Sequence, residues 1–153
     1  MNKKITCGIT GSTGSIGKNL VKNTENFKFI YFKKDITKKR LVENWIKKNK
    51  LDIVVHLAAI VPIKVVNNNK KKAHKVNVCG TKNLVNAILQ NDNNIKWVFF
   101  SSTSHVYSST KLKIKENFTI KPISYYGKTK YLAEKEIMRL KKKRYQILHW
   151  KNI

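Results

Sequence analysis

Acidic residues are scarce in this chain of 153 residues, which has 8 Asp and Glu against 33 Lys and Arg. The formal net charge is therefore +25 at pH 7, and such a surplus attracts phosphate groups at low salt whatever the fold. The lysines, however, stand in small separate groups and accompany many Asn and Ile residues, as an AT-rich coding bias would produce. We therefore predict no specific nucleic-acid site.

Cysteine and long apolar runs are also rare. Cys7 and Cys79 are too few for a disulfide framework, and they indicate reduced thiols in a cytoplasmic protein without a metal site. No charge-free apolar run approaches the roughly 20 residues that a membrane-spanning helix needs, and the start of the chain lacks the apolar core of a signal peptide. We therefore predict no membrane association. The length suits one ordinary domain.

Short apolar runs alternate with amphipathic segments along the whole chain. Five runs are typical of strands, at residues 5–9, 27–32, 51–59, 95–100 and 145–150. Apolar residues at helical spacing follow them, at residues 15–26, 36–48, 75–90 and 124–140, and residues 108–123 resemble a surface loop. The alternation predicts an α/β fold with one doubly wound parallel sheet and helices on both faces.

The first strand runs into a glycine-rich segment in which Gly11, Gly14 and Gly17 are spaced three residues apart. A bare backbone lets main-chain N–H groups approach the oxygens of a diphosphate, and the positive end of the following helix favours negative charge. This pattern favours dinucleotide binding, although a glycine triplet by itself is equally compatible with a plain turn.

Tyr126 and Lys130 lie four residues apart in a predicted helix, so both side chains point the same way. A phenol ionises near pH ~10, and a neighbouring ammonium together with a cationic nicotinamide ring would lower its pKa toward neutrality. The pair could then serve in proton transfer. In a lysine-rich helix the same spacing also arises by chance.

Five motifs occur in one order: TGSTGSIG at residues 10–17, HLAA at 56–59, NVCGT at 77–81, SSTSHVY at 101–107 and YGKTK at 126–130. Together they resemble the NAD-dependent epimerase/dehydratase family of the extended short-chain dehydrogenase/reductase superfamily, whose members act on nucleotide sugars. The resemblance covers nearly the whole chain. It implies a Rossmann-like NAD(P)-binding domain over residues 1–153.

The resemblance also implies the residues that hold the cofactor, NAD or NADP. Its diphosphate would lie on Gly11, Gly14 and Gly17, with main-chain N–H groups from Ser15 and Ile16. Asp35 and Ile36 would contact the adenine, Ala58 and Ala59 would form the wall beside the cofactor, and Asn77 would lie near it. Two simpler readings stay open, in which Asn77 caps a helix and Asp35 caps a helix starting at Ile36.

The catalytic roles implied by the resemblance fall on three residues. Thr103 would hydrogen-bond the reacting substrate oxygen, Tyr126 would be the general acid/base, and Lys130 would grip the nicotinamide ribose. The reaction would be hydride transfer between the nicotinamide and a sugar carbon, coupled to proton transfer through Tyr126.

The sequence departs from the family pattern between Gly17 and Asp35. About 18 residues separate them, too few for the usual elements, so we expect one strand and its crossover to be lost or merged. Lys33 and Lys34 stand where an acidic residue would accept the ribose 2′-OH. A lysine there would suit a 2′-phosphate, so NAD and NADP both stay open.

The last residues, 148–153, resemble the strand that leads into the substrate-binding part of such enzymes, and we expect a C-terminal substrate domain to be absent. The leading hypothesis is an NAD(P)-dependent sugar-nucleotide epimerase, dehydratase or reductase, present as its cofactor domain. The alternative is a catalytically inactive truncated remnant or a non-catalytic basic binding protein. The resemblance implies a nucleotide-sugar substrate and allows a homodimer.

Overall fold

Five parallel strands form the centre of the fold in the computed structural model, which describes residues 4–91, 94–108, 114–115, 118–141 and 145–150. They are β1 (Ile5–Thr10), β2 (Phe27–Phe32), β3 (Ile53–His56), β4 (Trp97–Ser101) and β5 (Gln146–Trp150). Their order in the sheet is β2-β1-β3-β4-β5, and every neighbouring pair is parallel. The predicted parallel sheet is confirmed. Its strand order reverses direction between β1 and β3, where open sheets of this kind bind ligands at the carboxyl ends of the strands.

Six α-helices connect the strands in the described part of the chain: α1 (Ser15–Lys22), α2 (Lys39–Lys48), α3 (Ile63–Asn68), α4 (Lys70–His74), α5 (Gly80–Gln90) and α6 (Tyr125–Lys141). A π-helical turn at Lys75–Cys79 joins α4 to α5, and a 3-10 turn at Ser104–Val106 follows β4. Ser124 starts α6, because its hydroxyl accepts a hydrogen bond from the Gly127 N–H at 3.0 Å.

Helices lie on both faces of the sheet, as predicted, but they cover the faces unequally. The larger core joins one face of the strands to α2, α5 and α6; it includes Phe32, Val54, Val98, Phe100, Val42, Leu84 and Ile137. The smaller core lies on the opposite face, where Leu20 and Val21 of α1 pack against Cys7, Ile9 and Val55. Because successive residues of a strand point to opposite faces, Val54 and Val55 serve different cores.

The helices between β3 and β4 are where the structure departs most from the sequence-based expectation. Residues 75–90 are helical as predicted, but their first turn is π-helical, and α3 and α4 were not predicted at all. These two helices have six and five residues, so they are too short to show a clear helical period. Strand β3 is also shorter than the apolar run 51–59, because residues 57–59 already belong to the loop that follows the strand.

The short connection between Gly17 and Asp35 contains the rest of α1 and then β2, which forms the edge of the sheet among the described residues. This agrees with the expected loss of one strand. The predictions for residues 109–113, 116–117, 142–144 and 151–153 lie outside the described residues. In the parts that the structure describes, no helix is both long and apolar enough to cross a membrane, and no three His, Cys, Asp or Glu side chains are grouped as metal ligands would be.

Candidate active site

Two glycines of the turn after β1 are required by close packing within the protein. Gly11 has a φ of +74°, and a Cβ there would lie 2.6 Å from the Ala58 backbone nitrogen. A Cβ on Gly17 would lie 2.5 Å from the carbonyl oxygen of Gly11. Both distances are far inside van der Waals contact. These glycines therefore allow the backbone of the turn to lie directly against both the segment after β3 and the first turn of α1.

Gly14 is different, because the protein's own packing leaves room for a side chain there. It is the residue before the first turn of α1, with φ −72° and ψ 166°, which most residues can adopt. A Cβ would meet only the Gly11 carbonyl oxygen, at 3.4 Å. The free N–H groups at the start of α1 carry partial positive charge. A bare Gly14 therefore leaves space at a helix N-terminus that fits an anionic group such as a diphosphate.

A cavity of about 740 Å³ extends from this turn along the carboxyl ends of the strands. It brings together most of the residues that the sequence predicted for the site. Those that line it are Gly11, Gly14, Ser15, Ile16, Gly17, Ala58, Ala59, Thr103, Tyr126 and Lys130. One cavity thus joins the glycine turn to the three residues with implied catalytic roles.

Ile36 and Asp35 lie at different places relative to this cavity. Ile36 lines a smaller adjoining cavity of about 280 Å³, together with Lys33 and Lys34. Asp35 is exposed and lies outside both cavities; its Oδ1 accepts a hydrogen bond from the Thr37 N–H at 2.9 Å, and this bond lowers the pKa of the carboxyl group. The alternative that Asp35 caps a helix starting at Ile36 is wrong, because α2 begins at Lys39.

Asn77 lies behind the cavity wall and is buried inside the π-helical turn. Its Oδ1 accepts a hydrogen bond from the Ile60 N–H at 2.8 Å, and its Nδ2 donates to the Ile60 carbonyl at 3.1 Å. Nδ2 also donates to the Thr129 hydroxyl at 3.1 Å. Asn77 is therefore not a helix cap. It fixes the loop after β3 against α6.

Thr103 and Tyr126 form a hydrogen bond through their hydroxyl groups. The Thr103 oxygen also accepts from the His105 N–H at 3.3 Å. Burial raises the pKa of Tyr126 more than the hydrogen bond with Thr103 lowers it. In the protein alone, the tyrosine is therefore a neutral phenol at physiological pH. The expected lowering combined the Lys130 ammonium with a cationic nicotinamide ring, and in the protein alone Lys130 is not among the causes of the pKa shift of Tyr126.

The Lys130 ammonium is held by contacts with other groups than the Tyr126 hydroxyl. Nζ donates to the Ser101 carbonyl at 2.6 Å and lies 4.2 Å from the centre of the Phe100 ring. Burial lowers the pKa of Lys130 to about 8, and the charge of Glu134 partly opposes the shift. Every other lysine in the described ranges is exposed, so Lys130 is the only buried one there. Since burying an ammonium is costly, its place in the cavity wall sets it apart from the rest.

The 3-10 turn that follows Thr103 packs tightly on α6. A Cβ on Gly127 would lie 2.1 Å from the His105 carbonyl oxygen, and the His105 ring lies 5.8 Å from the Tyr126 ring in an edge-to-face arrangement. On the other side of the turn, the Ser102 hydroxyl donates to the buried Glu134 carboxylate. Sequence reasoning gave His105 no role, although it follows Thr103 by two residues and lines the cavity.

His56 was also given no role, and the structure places it at the centre of a buried group. Its ring nitrogens lie 2.7 Å from the Thr10 hydroxyl and 2.9 Å from the Thr81 hydroxyl. Burial, with a smaller effect of the Lys130 charge, lowers its pKa to about 3. Thr10 and His56 are paired residues of β1 and β3. The contact between Thr10 and His56 could have been predicted from the pairing of the two strand ends.

A parallel sheet with a glycine turn and a cavity at its carboxyl edge defines the class of doubly wound nucleotide-binding folds. A family described as the RmlD substrate binding domain matches residues 5–150. The chain belongs to this family, which lies within the NAD-dependent epimerase/reductase superfamily. The resemblance seen in the sequence motifs is thereby confirmed.

Individual relatives agree with this assignment. The chain is 34% identical over 134 residues to GDP-6-deoxy-D-talose 4-dehydrogenase of Aggregatibacter actinomycetemcomitans, which covers 82% of this chain and 45% of that protein. It is 36% identical over 108 residues to UDP-glucose 4-epimerase of Lactobacillus helveticus, which covers 69% of this chain and 32% of that protein.

Among solved structures, dTDP-4-dehydrorhamnose reductase from Bacillus anthracis in complex with NADP matches with a TM-score of 0.86 and 24% identity. The match covers 99% of this chain and 55% of the reductase, and it shows that the two share a fold. The chain thus spans about half the length of the proteins it matches, or less.

The burial of His56 predicts a loss of stability in acid. The folded protein has a His56 pKa of about 3 against the ordinary 6.5, so between these values the unfolded chain binds a proton that the folded protein does not. Stability therefore falls as the pH falls from ~6.5 to ~3, by about 3 kcal/mol between roughly pH 7 and pH 4. Urea unfolding of the protein and of His56→Gln measures this. The variant should lose less stability over the same interval, and equal losses would contradict the assignment to His56.

Proposed function

We propose that this chain binds a nicotinamide dinucleotide and forms the cofactor-binding part of a nucleotide-sugar epimerase or reductase. The observation that carries the proposal is the single cavity in which the open position at Gly14 and the side chains of Thr103, Tyr126 and Lys130 all take part. Diphosphate binding and proton transfer both need such groups within the reach of one dinucleotide. A cytoplasmic location is part of the proposal.

The residues present fit a dinucleotide along the carboxyl edge of the sheet. The turn at Gly11 and Gly14 and the start of α1 would hold its diphosphate, while Ala58 and Ala59 would flank it. The smaller cavity beside Ile36 would take its adenosine end. Lys130, buried in the wall beside Tyr126, would hold the ribose next to the nicotinamide. When bound in its reduced form, such a cofactor supplies the hydride for reduction of a carbonyl carbon.

Tyr126 would transfer the proton that accompanies the hydride. With the Thr103 hydroxyl as the donor in their hydrogen bond, the phenol proton of Tyr126 would be available to a substrate oxygen. On reduction of the substrate carbonyl, its oxygen would take this proton and leave Tyr126 as a phenolate. A positive charge at Lys130 would favour that phenolate. In the reverse direction the phenolate takes the proton back.

The proposed substrate class is a sugar linked to a nucleoside diphosphate, supported by the activities named for the relatives. A reductase or an epimerase needs the same hydride and proton steps at the sugar. Because the chain spans about half of those relatives, the proposal concerns the cofactor and the reacting groups. It does not extend to the identity of the sugar.

Gly14 tests the cofactor site. Gly14→Thr keeps a residue favoured before a helix, so the free energy of unfolding should change by less than about 1 kcal/mol. The added side chain would occupy the space proposed for the diphosphate, and calorimetric affinity for NAD and NADP should fall at least tenfold, about 1.4 kcal/mol. Asn19→Thr, on the exposed surface of α1, is the matched control and should bind as the parent does. Absence of binding by the parent at millimolar dinucleotide would overturn the proposal.

Lys33 and Lys34 predict a preference for NADP. Both residues line the smaller cavity, and no carboxylate is among its lining residues. Two ammonium groups suit a 2′-phosphate. The protein should bind NADP about tenfold more tightly than NAD, and Lys33→Gln/Lys34→Gln should remove the difference. Lys47→Gln/Lys48→Gln on α2 makes the same change in net charge away from the cavity and should preserve it. Equal affinities in the unaltered protein would refute the preference.

Tyr126→Phe tests the proton transfer. With NADPH and a nucleotide-linked 4-keto sugar, the protein should oxidise the cofactor, measured as loss of nicotinamide absorbance. Tyr126→Phe should slow this by about 10²- to 10⁴-fold, the usual contribution of a positioned acid, while dinucleotide affinity stays within a few-fold. Tyr131→Phe, on the same helix but outside the cavity lining, is the control. If the protein binds NADPH but oxidises none, the catalytic half of the proposal fails and the binding half stands.

A further inference from the structure

His56 is completely enclosed, and its two ring nitrogens each contact one hydroxyl. Nδ1 lies 2.7 Å from Thr10 Oγ1, and Nε2 lies 2.9 Å from Thr81 Oγ1. The first hydroxyl belongs to the last residue of β1, next to the glycine turn. The second belongs to the first turn of α5, just after the π-helical turn. The imidazole therefore spans two elements that lie far apart in sequence.

The hydrogen bonds around these hydroxyls determine which ring nitrogen carries the proton. Thr81 Oγ1 donates its single proton to the Asn77 carbonyl at 2.6 Å, so toward His56 it can only accept, and Nε2 must be the donor. The buried ring is neutral, because burial lowers its pKa to about 3. Nδ1 is therefore unprotonated and accepts from the Thr10 hydroxyl. That oxygen in turn accepts from the Ala58 N–H at 3.3 Å.

The result is a chain of hydrogen bonds with one direction. It runs from the Ala58 N–H through the Thr10 hydroxyl, the His56 ring and the Thr81 hydroxyl to the Asn77 carbonyl. Each donor and each acceptor on the ring is used once. Such a chain is satisfied in only one arrangement, so it fixes the relative positions of the groups it joins.

Both ends of this chain continue into the candidate active site. Ala58 lines the cavity and lies directly against Gly11. At the other end, the Asn77 side chain donates to the Thr129 hydroxyl at 3.1 Å, and Thr129 donates to the Tyr126 carbonyl at 2.8 Å. The glycine turn and the helix turn that carries Tyr126 are thereby connected through His56.

We propose that His56 is a positioning residue, held as the neutral Nε2–H tautomer, that sets the glycine turn and the Tyr126 turn in register with one another. This inference rests on the proposed function, because the register matters to a dinucleotide that contacts both turns at once. His56 itself does not line the cavity and touches neither ligand nor reacting atoms. Its role is to keep the two ends of one binding site at the spacing that the ligand requires.

Two substitutions divide the chain of hydrogen bonds at different points. His56→Asn places a carbonyl oxygen near the position of Nδ1, so it can keep the bond from Thr10 while losing the bond to Thr81. His56→Gln places an amide N–H₂ near the position of Nε2, so it can keep the bond to Thr81 while losing the one from Thr10. If register depends on the complete chain, each variant should weaken dinucleotide binding about tenfold or more, although each retains one partner.

Ile46→Ala separates positioning from general loss of stability. Ile46 is fully buried on α2 and does not line the cavity, so its truncation destabilises the fold without touching the chain of hydrogen bonds. Calorimetric affinities for NADP and NAD are measured for the parent and the three variants, under conditions where urea titration shows each to be folded. We expect Ile46→Ala to bind as the parent does and both His56 variants to bind more weakly.

Nitrogen-15 NMR of the histidine rings tests the tautomer independently of any ligand. The His56 signal, identified by its loss in His56→Gln, should show a protonated Nε2 and an unprotonated Nδ1. A protonated Nδ1 would overturn the inference, and so would affinities of the His56 variants equal to that of the parent. If the parent itself binds neither NAD nor NADP, the proposed function fails and the positioning role fails with it, whereas unaltered binding by the variants refutes the positioning role alone.

Discussion

The close approach of the turn after β1 to the segment after β3 is the constraint on which the site depends. Gly11 brings its backbone so near to Leu57 and Ala58 that no side chain fits between them. The same approach puts Thr10 beside His56 and opens the cavity at the point where strand order reverses. A parallel sheet supplies such a point wherever its strand order reverses. What this sequence adds is the absence of a Cβ at one position of positive φ, which lets Ala58 lie against Gly11 in the wall of the cavity.

Burial distinguishes Lys130, the lysine of the candidate site, from the other described lysines. In the ranges that the structure describes, all lysines but one extend from the surface, where an added charge has little effect on folding or on chemistry. Among them only Lys130 is buried. Its ammonium contacts a carbonyl oxygen and an aromatic face and lies near a carboxylate. The net charge of +25 thus says little about this site. The cost of burying one ammonium says more, because a buried charge needs compensating contacts.

Strands and the glycine turn could be predicted because their signals are local: an apolar run of the right length, or glycines at fixed spacing. The alternation of strands and helices predicted the parallel sheet, and the ordered motifs contained most of the residues that line the cavity. What sequence reasoning missed depends on contacts between distant segments. The amide of Asn77 is hydrogen-bonded to Ile60 and Thr129, and the ammonium of Lys130 donates to the Ser101 carbonyl; neither contact has a signal in the sequence. The proposed role of His56 depends on the acceptor to which Thr10 and Thr81 each donate their hydroxyl proton, and no sequence pattern indicates that.

The π-helical turn at Lys75–Cys79 acts as a phase shift of one residue within an otherwise continuous helical run from α4 to α5. One residue of an α-helix corresponds to a rotation of about 100° about its axis. The wider turn lets Asn77 point toward α6 while Leu84 and Ile88 of α5 still face the larger core. Deleting a single residue here would restore regular geometry to the helix and yet turn one of those two faces away from its partner. The length of this segment, counted to the residue, is therefore as much a part of the site as the identity of its side chains.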